Sequence, residues 1–114
     1  VQSAVVFIEL PLFGKYFSFT DDELAAVQER ILDDPRRGDL IPGGRGLRKL
    51  RAAVAGRGKR GGARVIYYVW DEQDRCYLIF AYAKNDQDDL TAAQLKALAA
   101  VMDEEFGDGQ ARFR

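Results

Sequence analysis

ARVIYYVWDEQDRCYLIFAYA, residues 63–83, contains the clearest structural pattern of the chain. It holds two runs rich in β-branched and aromatic side chains, 63–70 and 75–83, and such runs are typical of β-strands. The polar residues DEQD at 71–74 separate the two runs and favour a turn. The stretch therefore predicts a β-hairpin.

Two further strands are predicted before this hairpin. Residues 47–54, LRKLRAAV, have both strand and helix tendencies, but their short length and flanking glycines favour a strand that carries cations on at least one face. Residues 4–10, AVVFIEL, read as a buried strand that ends before Pro11. Because consecutive strands commonly pair with one another, we expect an antiparallel sheet of about four strands.

Two helices are predicted from capping boxes, in which a Thr and a Glu or Gln three residues later satisfy the first backbone N–H groups of a helix. One box precedes a helix over residues 21–33, and the other precedes a helix that ends at Gly107. The capping pairs are Thr20 with Glu23 and Thr91 with Gln94. Neither helix can bury its apolar stripe alone, so both should pack on the sheet in an α+β fold.

The size and composition of the chain are typical of one globular domain, 1–114, since it has 114 residues, of which 47% are apolar and 31% charged. No run approaches the roughly 18–20 apolar residues that a membrane-spanning helix needs. The first residues also lack the basic region and cleavage site of a signal peptide. We therefore expect a cytoplasmic protein with no membrane partner.

Several catalytic classes are excluded because the chain has no histidine and only one cysteine, Cys76. Nucleophile–histidine pairs and the usual zinc sites need those residues, so Cys76 is expected to be a small core residue. No phosphate-binding GxxxxGK[ST] loop occurs either. Any catalysis must use Lys, Arg, Tyr or carboxylates, and we expect neither a cofactor nor a metal.

The net charge of −1 conceals an uneven distribution along the chain. Segment 36–64 contains ten Lys or Arg and only one acidic residue, Asp39, which gives +9, while the rest of the chain carries −10. One interpretation is that this segment is simply a loop whose charges are solvated. Its glycine-rich spacing and the cations beside apolar strand residues favour instead a surface that receives phosphates.

The alternation of side chains along a strand predicts where these cations meet. Lys49 and Arg51 share one face of their strand and can converge with Arg64 on the next strand. Like charges side by side are unfavourable unless an anion or an acidic partner neutralises them, so the cluster points to a function. Lys84 follows the last strand, and its neighbour Tyr82 is a candidate for stacking on a base, whereas the aromatic residues of 67–70 read as sheet packing.

Three blocks of sequence together resemble the RelE/HigB superfamily of type II toxins, and specifically a HigB-like branch. They are GLRKLR at 46–51, GRGKRGGARVIYY at 56–68 and YAKNDQDDLT at 82–91. The resemblance covers about residues 20–106 and implies a small RelE-like fold. It also implies an mRNA endonuclease that acts in the ribosomal A site and is neutralised by an antitoxin encoded nearby, a helix-turn-helix protein in this branch.

The resemblance also implies roles for individual basic residues. The positions that match catalytic or phosphate-contacting residues are Lys49, Arg51, Arg64 and Lys84. The positions that look like RNA or ribosome contacts are Arg48, Arg57, Lys59 and Arg60. The chain departs from the family pattern in being slightly acidic overall and in having no tyrosine in 107–114.

Elementary chemistry makes RNA cleavage possible without histidine. The 2′-hydroxyl attacks the adjacent phosphorus, and guanidinium groups can stabilise the charge that develops on the phosphate oxygens, so Arg64 is the first candidate for this task. A lysine crowded by cations loses its proton more easily, which makes Lys49 or Lys84 a candidate general base or acid. No metal is needed, because the nucleophile belongs to the substrate. Two alternatives are a non-catalytic gyrase poison of the ParE branch and a nucleic-acid-binding module without toxicity.

Overall fold

The computed structural model describes residues 5–54 and 62–107, except for the side chain of Asp71. Five strands form one sheet in the order β1-β5-β4-β3-β2. They are β1 (Val6–Glu9), β2 (Asp39–Leu40), β3 (Arg48–Ala52), β4 (Ala63–Trp70) and β5 (Arg75–Ala83). The helices are α1 (Asp21–Asp33) and α2 (Ala92–Phe106), and single 3₁₀ turns occur at Pro11–Gly14 and Asp71–Gln73.

The structure confirms the α+β fold and the central hairpin. Strands β4 and β5 coincide with the two runs predicted from the sequence, and both helices begin after the predicted capping boxes. In each box the Thr hydroxyl accepts a hydrogen bond from the backbone N–H three residues later, and the Glu or Gln side chain accepts one from the Thr N–H. The helix starts could be predicted from the sequence because the hydrogen bonds of a capping box form within one helical turn.

Two features of the sheet correct the prediction. The sheet has five strands rather than about four, because Asp39 and Leu40, within the segment predicted as a loop, pair antiparallel with β3. The sheet is also not wholly antiparallel, since β1 pairs parallel with β5. A parallel neighbour needs a long crossover, and here the connection includes α1 and the three intervening strands.

The two helices pack on opposite faces of the sheet. Val27 and Ile31 of α1 belong to the core cluster that contains Val65 and Tyr67 of β4. The other cluster contains the α2 side chains Leu98, Met102 and Phe106. On that face they meet Ile66, Tyr77, Ile79, Phe80 and Tyr82. The alternation of β4 thus divides its side chains between two cores, as expected for a sheet covered on both sides.

A β-bulge in β5 changes which side chains share a face. The pairing shifts so that Ile66 lies opposite Phe80 but Tyr67 lies opposite Leu78, which leaves Ile79 as the extra residue. Ile79 and Phe80 consequently both belong to the core beneath α2. Beyond the bulge, Tyr82 lies on this same face, whereas uninterrupted alternation from Tyr77 would place it on the other face.

Tyr67 fixes the segment that leads into β2. Its buried hydroxyl donates a hydrogen bond to the Pro35 carbonyl and accepts one from the Gly38 N–H, each at 2.9 Å. Burial raises the pKa of Tyr67, so the hydroxyl stays protonated. Only glycine fits at position 38, because a Cβ there would lie 2.8 Å from the Tyr67 ring. These contacts hold Asp39 in register opposite Lys49.

No helix among the residues described is both long and apolar enough to cross a membrane.

Replacing Tyr67 with Phe is expected to lower the free energy of unfolding by about 1–3 kcal/mol, because it removes the partner of the buried Gly38 N–H and of the partly buried Pro35 carbonyl. Urea denaturation measures the change. The matched control is Tyr16→Phe, since the Tyr16 side chain is exposed; its effect should stay within about 0.5 kcal/mol. Equal effects of the two substitutions would contradict the anchoring role of Tyr67.

Candidate active site

A polar cavity of about 350 Å³ lies at one end of the sheet and brings together all four basic residues singled out as catalytic. Lys49 and Arg51 come from β3, Arg64 from the start of β4, and Lys84 directly follows β5. Asp39 and Asp88 also line the cavity. The predicted convergence of Lys49, Arg51 and Arg64 is thus observed, and Lys84 lies with them. The catalytic roles of the four residues remain a prediction.

The register of the three strands explains this convergence. Arg51 lies opposite Arg64, and Arg64 lies opposite Tyr82. Directly paired residues project to the same side of a sheet, so Lys49, Arg51 and Arg64 share the face that α2 covers. Lys84 is fixed beside them because its backbone N–H donates to the Gly62 carbonyl at 3.0 Å.

Gly62 permits the close approach of the chain at the start of β4. It has a positive φ of +57°, and a Cβ at this position would lie 2.2 Å from the Ala52 carbonyl oxygen. A side chain is therefore excluded both by backbone conformation and by space. Because Gly62 has no side chain, its backbone can lie against Ala52 of β3 and accept the hydrogen bond from Lys84, which follows β5.

Arg64 is the one charged residue that is buried in the described part of the chain, with 8% of its surface exposed. Its Nη1 donates to the Ala63 carbonyl at 3.2 Å, which fixes the guanidinium against the strand. Arginine tolerates such burial better than lysine because its charge is delocalised and weakly hydrated. A fixed cation in a poorly solvated position interacts strongly with an anion that enters the cavity.

Two carboxylates neutralise the two lysines. Lys84 Nζ contacts Asp88 Oδ1 at 3.0 Å and the Asp88 carbonyl at 3.2 Å. Lys49 Nζ contacts Asp89 Oδ1 at 3.0 Å. Each lysine therefore has a carboxylate beside it as well as the other cations. These carboxylates offset the repulsion between like charges, from which the acid–base role of the lysines was predicted.

These contacts between lysines and aspartates were not predicted from the sequence. Lys84 and Asp88 are four residues apart within one loop, so their contact is local. The pairing of Lys49 and Asp89 spans forty residues. It depends on where the loop after β5 passes β3, which the sequence pattern does not show.

Asp89 connects Lys49 to Tyr82. The Tyr82 hydroxyl donates to Asp89 Oδ1 at 3.4 Å, and the Leu90 N–H donates to the same oxygen at 2.8 Å. The hydrogen bond from Lys49 is the main cause that lowers the pKa of Asp89. Burial, followed by the charge of Asp89, raises the pKa of Tyr82 to about 12. At neutral pH the ionised Asp89 carboxylate therefore accepts a hydrogen bond from the neutral Tyr82 hydroxyl.

Of the remaining predicted contacts, the structure describes Tyr82 and Arg48, and neither lines the cavity. Tyr82 is only 1% exposed and its ring packs against Phe80, so the prediction that Tyr82 stacks on a base is wrong. Arg48 lies opposite Tyr67, on the α1 side of the sheet, where its Nη1 donates to the Gly38 carbonyl at 2.8 Å. The other predicted RNA contacts, Arg57, Lys59 and Arg60, lie outside the described residues.

No group of three or more Cys, Asp or Glu side chains that could hold a metal ion occurs within 5–54 and 62–107. Of the aspartates near the lysines, Asp88 is hydrogen-bonded to Lys84 and Asp89 to Lys49, as described above.

Comparison with known proteins adds one finding. The family model described as "RelE toxin of RelE / RelB toxin-antitoxin system" matches residues 13–108. The match includes both helices, strands β2 to β5 and every residue that lines the cavity.

Cys76 lies apart from the cavity, on the α1 side of the sheet, and is 1% exposed. Burial raises the pKa of the Cys76 thiol to about 12. The thiolate is the nucleophilic form, and it forms only as the pH rises toward that value. The structure therefore supports the interpretation of Cys76 as a core residue.

We expect Cys76 to be inert toward a thiol reagent such as dithionitrobenzoate in the folded protein at pH 8. Roughly one thiol in ten thousand is ionised at this pH, and the buried sulfur is inaccessible. In guanidinium chloride the same thiol should react stoichiometrically. Cys76→Ser should give no signal in either state, because the chain has one cysteine. Fast reaction of the native protein would contradict this assignment.

Proposed function

The chain belongs to the RelE family of toxins from toxin-antitoxin systems, and from this premise we propose that it is a ribosome-dependent endoribonuclease that cleaves mRNA in the A site. The main support is the gathering of Lys49, Arg51, Arg64 and Lys84 around one cavity. A phosphodiester is the RNA group that such a cluster of cations would receive.

The proposed reaction begins with attack of the RNA 2′-hydroxyl on the adjacent phosphorus. The bond to the 5′-oxygen of the next nucleotide breaks, which leaves a 2′,3′-cyclic phosphate and a 5′-hydroxyl. Negative charge rises on the non-bridging oxygens in the transition state. Arg64, which is buried and held against its own strand, and Arg51 opposite it are placed to stabilise this charge.

The two lysines are the candidates for proton transfer. The attacking hydroxyl must lose a proton and the leaving 5′-oxygen must gain one. Lys49 lies on β3 and Lys84 directly after β5, and each contacts a carboxylate at 3.0 Å. We propose that a lysine ammonium, of Lys49 or Lys84, protonates the leaving oxygen, and that the proton of the 2′-hydroxyl passes to the carboxylate of Asp88, which also lines the cavity.

The charge distribution supports a requirement for the ribosome. The chain carries a net charge of −1, so its long-range attraction for free RNA is weak. Four cations line the cavity, where they act at short range. A ribosome that already holds the mRNA would supply the orientation that the overall charge does not. This role would place the protein in the cytoplasm.

The family also implies an antitoxin partner. Because the three sequence blocks resemble the HigB-like branch, we propose that this antitoxin is a helix-turn-helix protein encoded beside the toxin. Coexpression of the neighbouring gene should relieve the growth arrest that the toxin alone produces.

The decisive substitution is Arg64→Ala. It should reduce mRNA cleavage on programmed ribosomes by on the order of 100-fold or more, the usual cost of losing one pre-organised group that stabilises transition-state charge. Mapping of RNA ends should show 5′-hydroxyl termini for the wild type. The control is Arg75→Ala, since Arg75 lies at the opposite end of the hairpin and should leave cleavage nearly unchanged.

Two outcomes would contradict the nuclease. Growth arrest by the Arg64→Ala variant with intact mRNA would favour another target, such as gyrase in the ParE branch. Binding to RNA by the wild type without cleavage or growth arrest would favour a nucleic-acid-binding module.

A further inference from the structure

We propose that Asp89 is a positioning residue of the active site, which holds the Lys49 ammonium group at the cavity while the hydroxyl of Tyr82 and the N–H of Leu90 hold Asp89. This inference rests on the proposed nuclease function. It assigns a role in RNA cleavage to a carboxylate that repels the substrate phosphate and would otherwise be expected to hinder the reaction.

One oxygen of Asp89 receives all three contacts. Oδ1 accepts from Leu90 N at 2.8 Å, from Lys49 Nζ at 3.0 Å and from the Tyr82 hydroxyl at 3.4 Å. Leu90 lies just before α2, Lys49 is on β3 and Tyr82 is on β5, so the oxygen connects three parts of the fold. Tyr82 is almost wholly buried and cannot move away from this contact without disturbing the core.

The loop around Asp89 is itself held in place. Gln87 Nε2 donates to the Asp89 carbonyl at 2.9 Å and to Gln94 Oε1 at 2.7 Å. Gln94 completes the capping box with Thr91 at the start of α2. The position of Asp89 is therefore determined by the helix start, and Lys49 contacts a fixed group.

The contact between Lys49 and Asp89 has little value for stability alone. The Asp89 side chain is 64% exposed, and exposed ion pairs contribute little to folding. Its consequence is geometric, because a lysine side chain has four rotatable bonds and loses much rotamer freedom when its end is held. An ammonium group has three donors, so holding Asp89 uses one of them.

The other lysine provides an informative contrast. Asp88, the partner of Lys84, has 96% of its side chain exposed. It touches the lysine through an i,i+4 contact within one loop, which does not connect separate strands. Lys49 therefore has the anchored carboxylate, and Lys84 has the exposed one.

The test is Asp89→Ala in single-turnover cleavage on ribosomes, with the toxin concentration varied. The maximal rate should fall on the order of 10- to 100-fold, as expected for a displaced reacting group. The half-saturating toxin concentration should change by less than about threefold, because a carboxylate near the phosphate is not a binding group. The matched control is Asp86→Ala in the same loop, which removes the same charge from an exposed side chain and should leave the rate unchanged.

A double-mutant cycle shows whether Asp89 acts through Lys49. In a Lys49→Met background, Asp89→Ala should cost less than about threefold further, since the group that it positions is gone. A merely structural contribution would give the same loss in both backgrounds. If Asp89→Ala does not fold by circular dichroism, Asp89→Asn replaces it in the same cycle, because it keeps an oxygen for the Leu90 N–H and removes the charge.

The possible results distinguish failure of this inference from failure of the proposed nuclease function. If the wild-type protein does not cleave mRNA, both proposals are wrong. If the wild type cleaves and Asp89→Ala is as active as Asp86→Ala, only the positioning role is wrong. An equal loss with and without Lys49, or no effect of Lys49→Met itself, also overturns it.

Discussion

The antiparallel pairing of β4 with β3 and β5 is the constraint on which the rest of the structure depends. It places Arg51 opposite Arg64 and Arg64 opposite Tyr82, and so sets the composition of the cavity. Both faces of β4 are buried, which makes a shift by one residue very costly because every side chain would change face. The core therefore fixes the register, and the register fixes the cations.

The bulge at Ile79 extends this argument to the hydrogen bonds of the site. Because of the extra residue, Tyr82 lies on the same face as Arg64 and beneath α2. Its hydroxyl then reaches Asp89 in the loop that leads into α2. An irregularity inside the core thus provides a buried group that supports an exposed carboxylate. Bulges are frequent beside functional sites because they redirect side chains in this way.

Much of the fold followed from local sequence signals. The hairpin and the two capped helices could be predicted because period and capping are satisfied by near neighbours, and the meeting of Lys49 with Arg64 followed from strand alternation. Strand direction could not be predicted, since a short apolar strand such as β1 has the same pattern in parallel and antiparallel sheets. The face of the sheet on which Tyr82 lies could not be predicted because alternation carries no sign of a bulge. The contact of Asp89 with Lys49 depends on a loop path that tertiary packing determines.

The acidic residues at the cavity complete the electrostatic argument. A cluster of four cations with no counter-charge would destabilise the folded chain and attract any polyanion. Asp88 and Asp89 offset this charge within the molecule, but Asp88 is almost fully exposed, whereas Asp89 is held by a tyrosine and a helix start. In the proposed reaction, an RNA phosphate would replace Asp88 at Lys84 while Asp89 stays beside Lys49. Arg64, buried and fixed, then contributes the permanent charge. These contacts organise the cavity in the free protein, and the proposed cleavage of a phosphodiester would depend on such pre-organised cations.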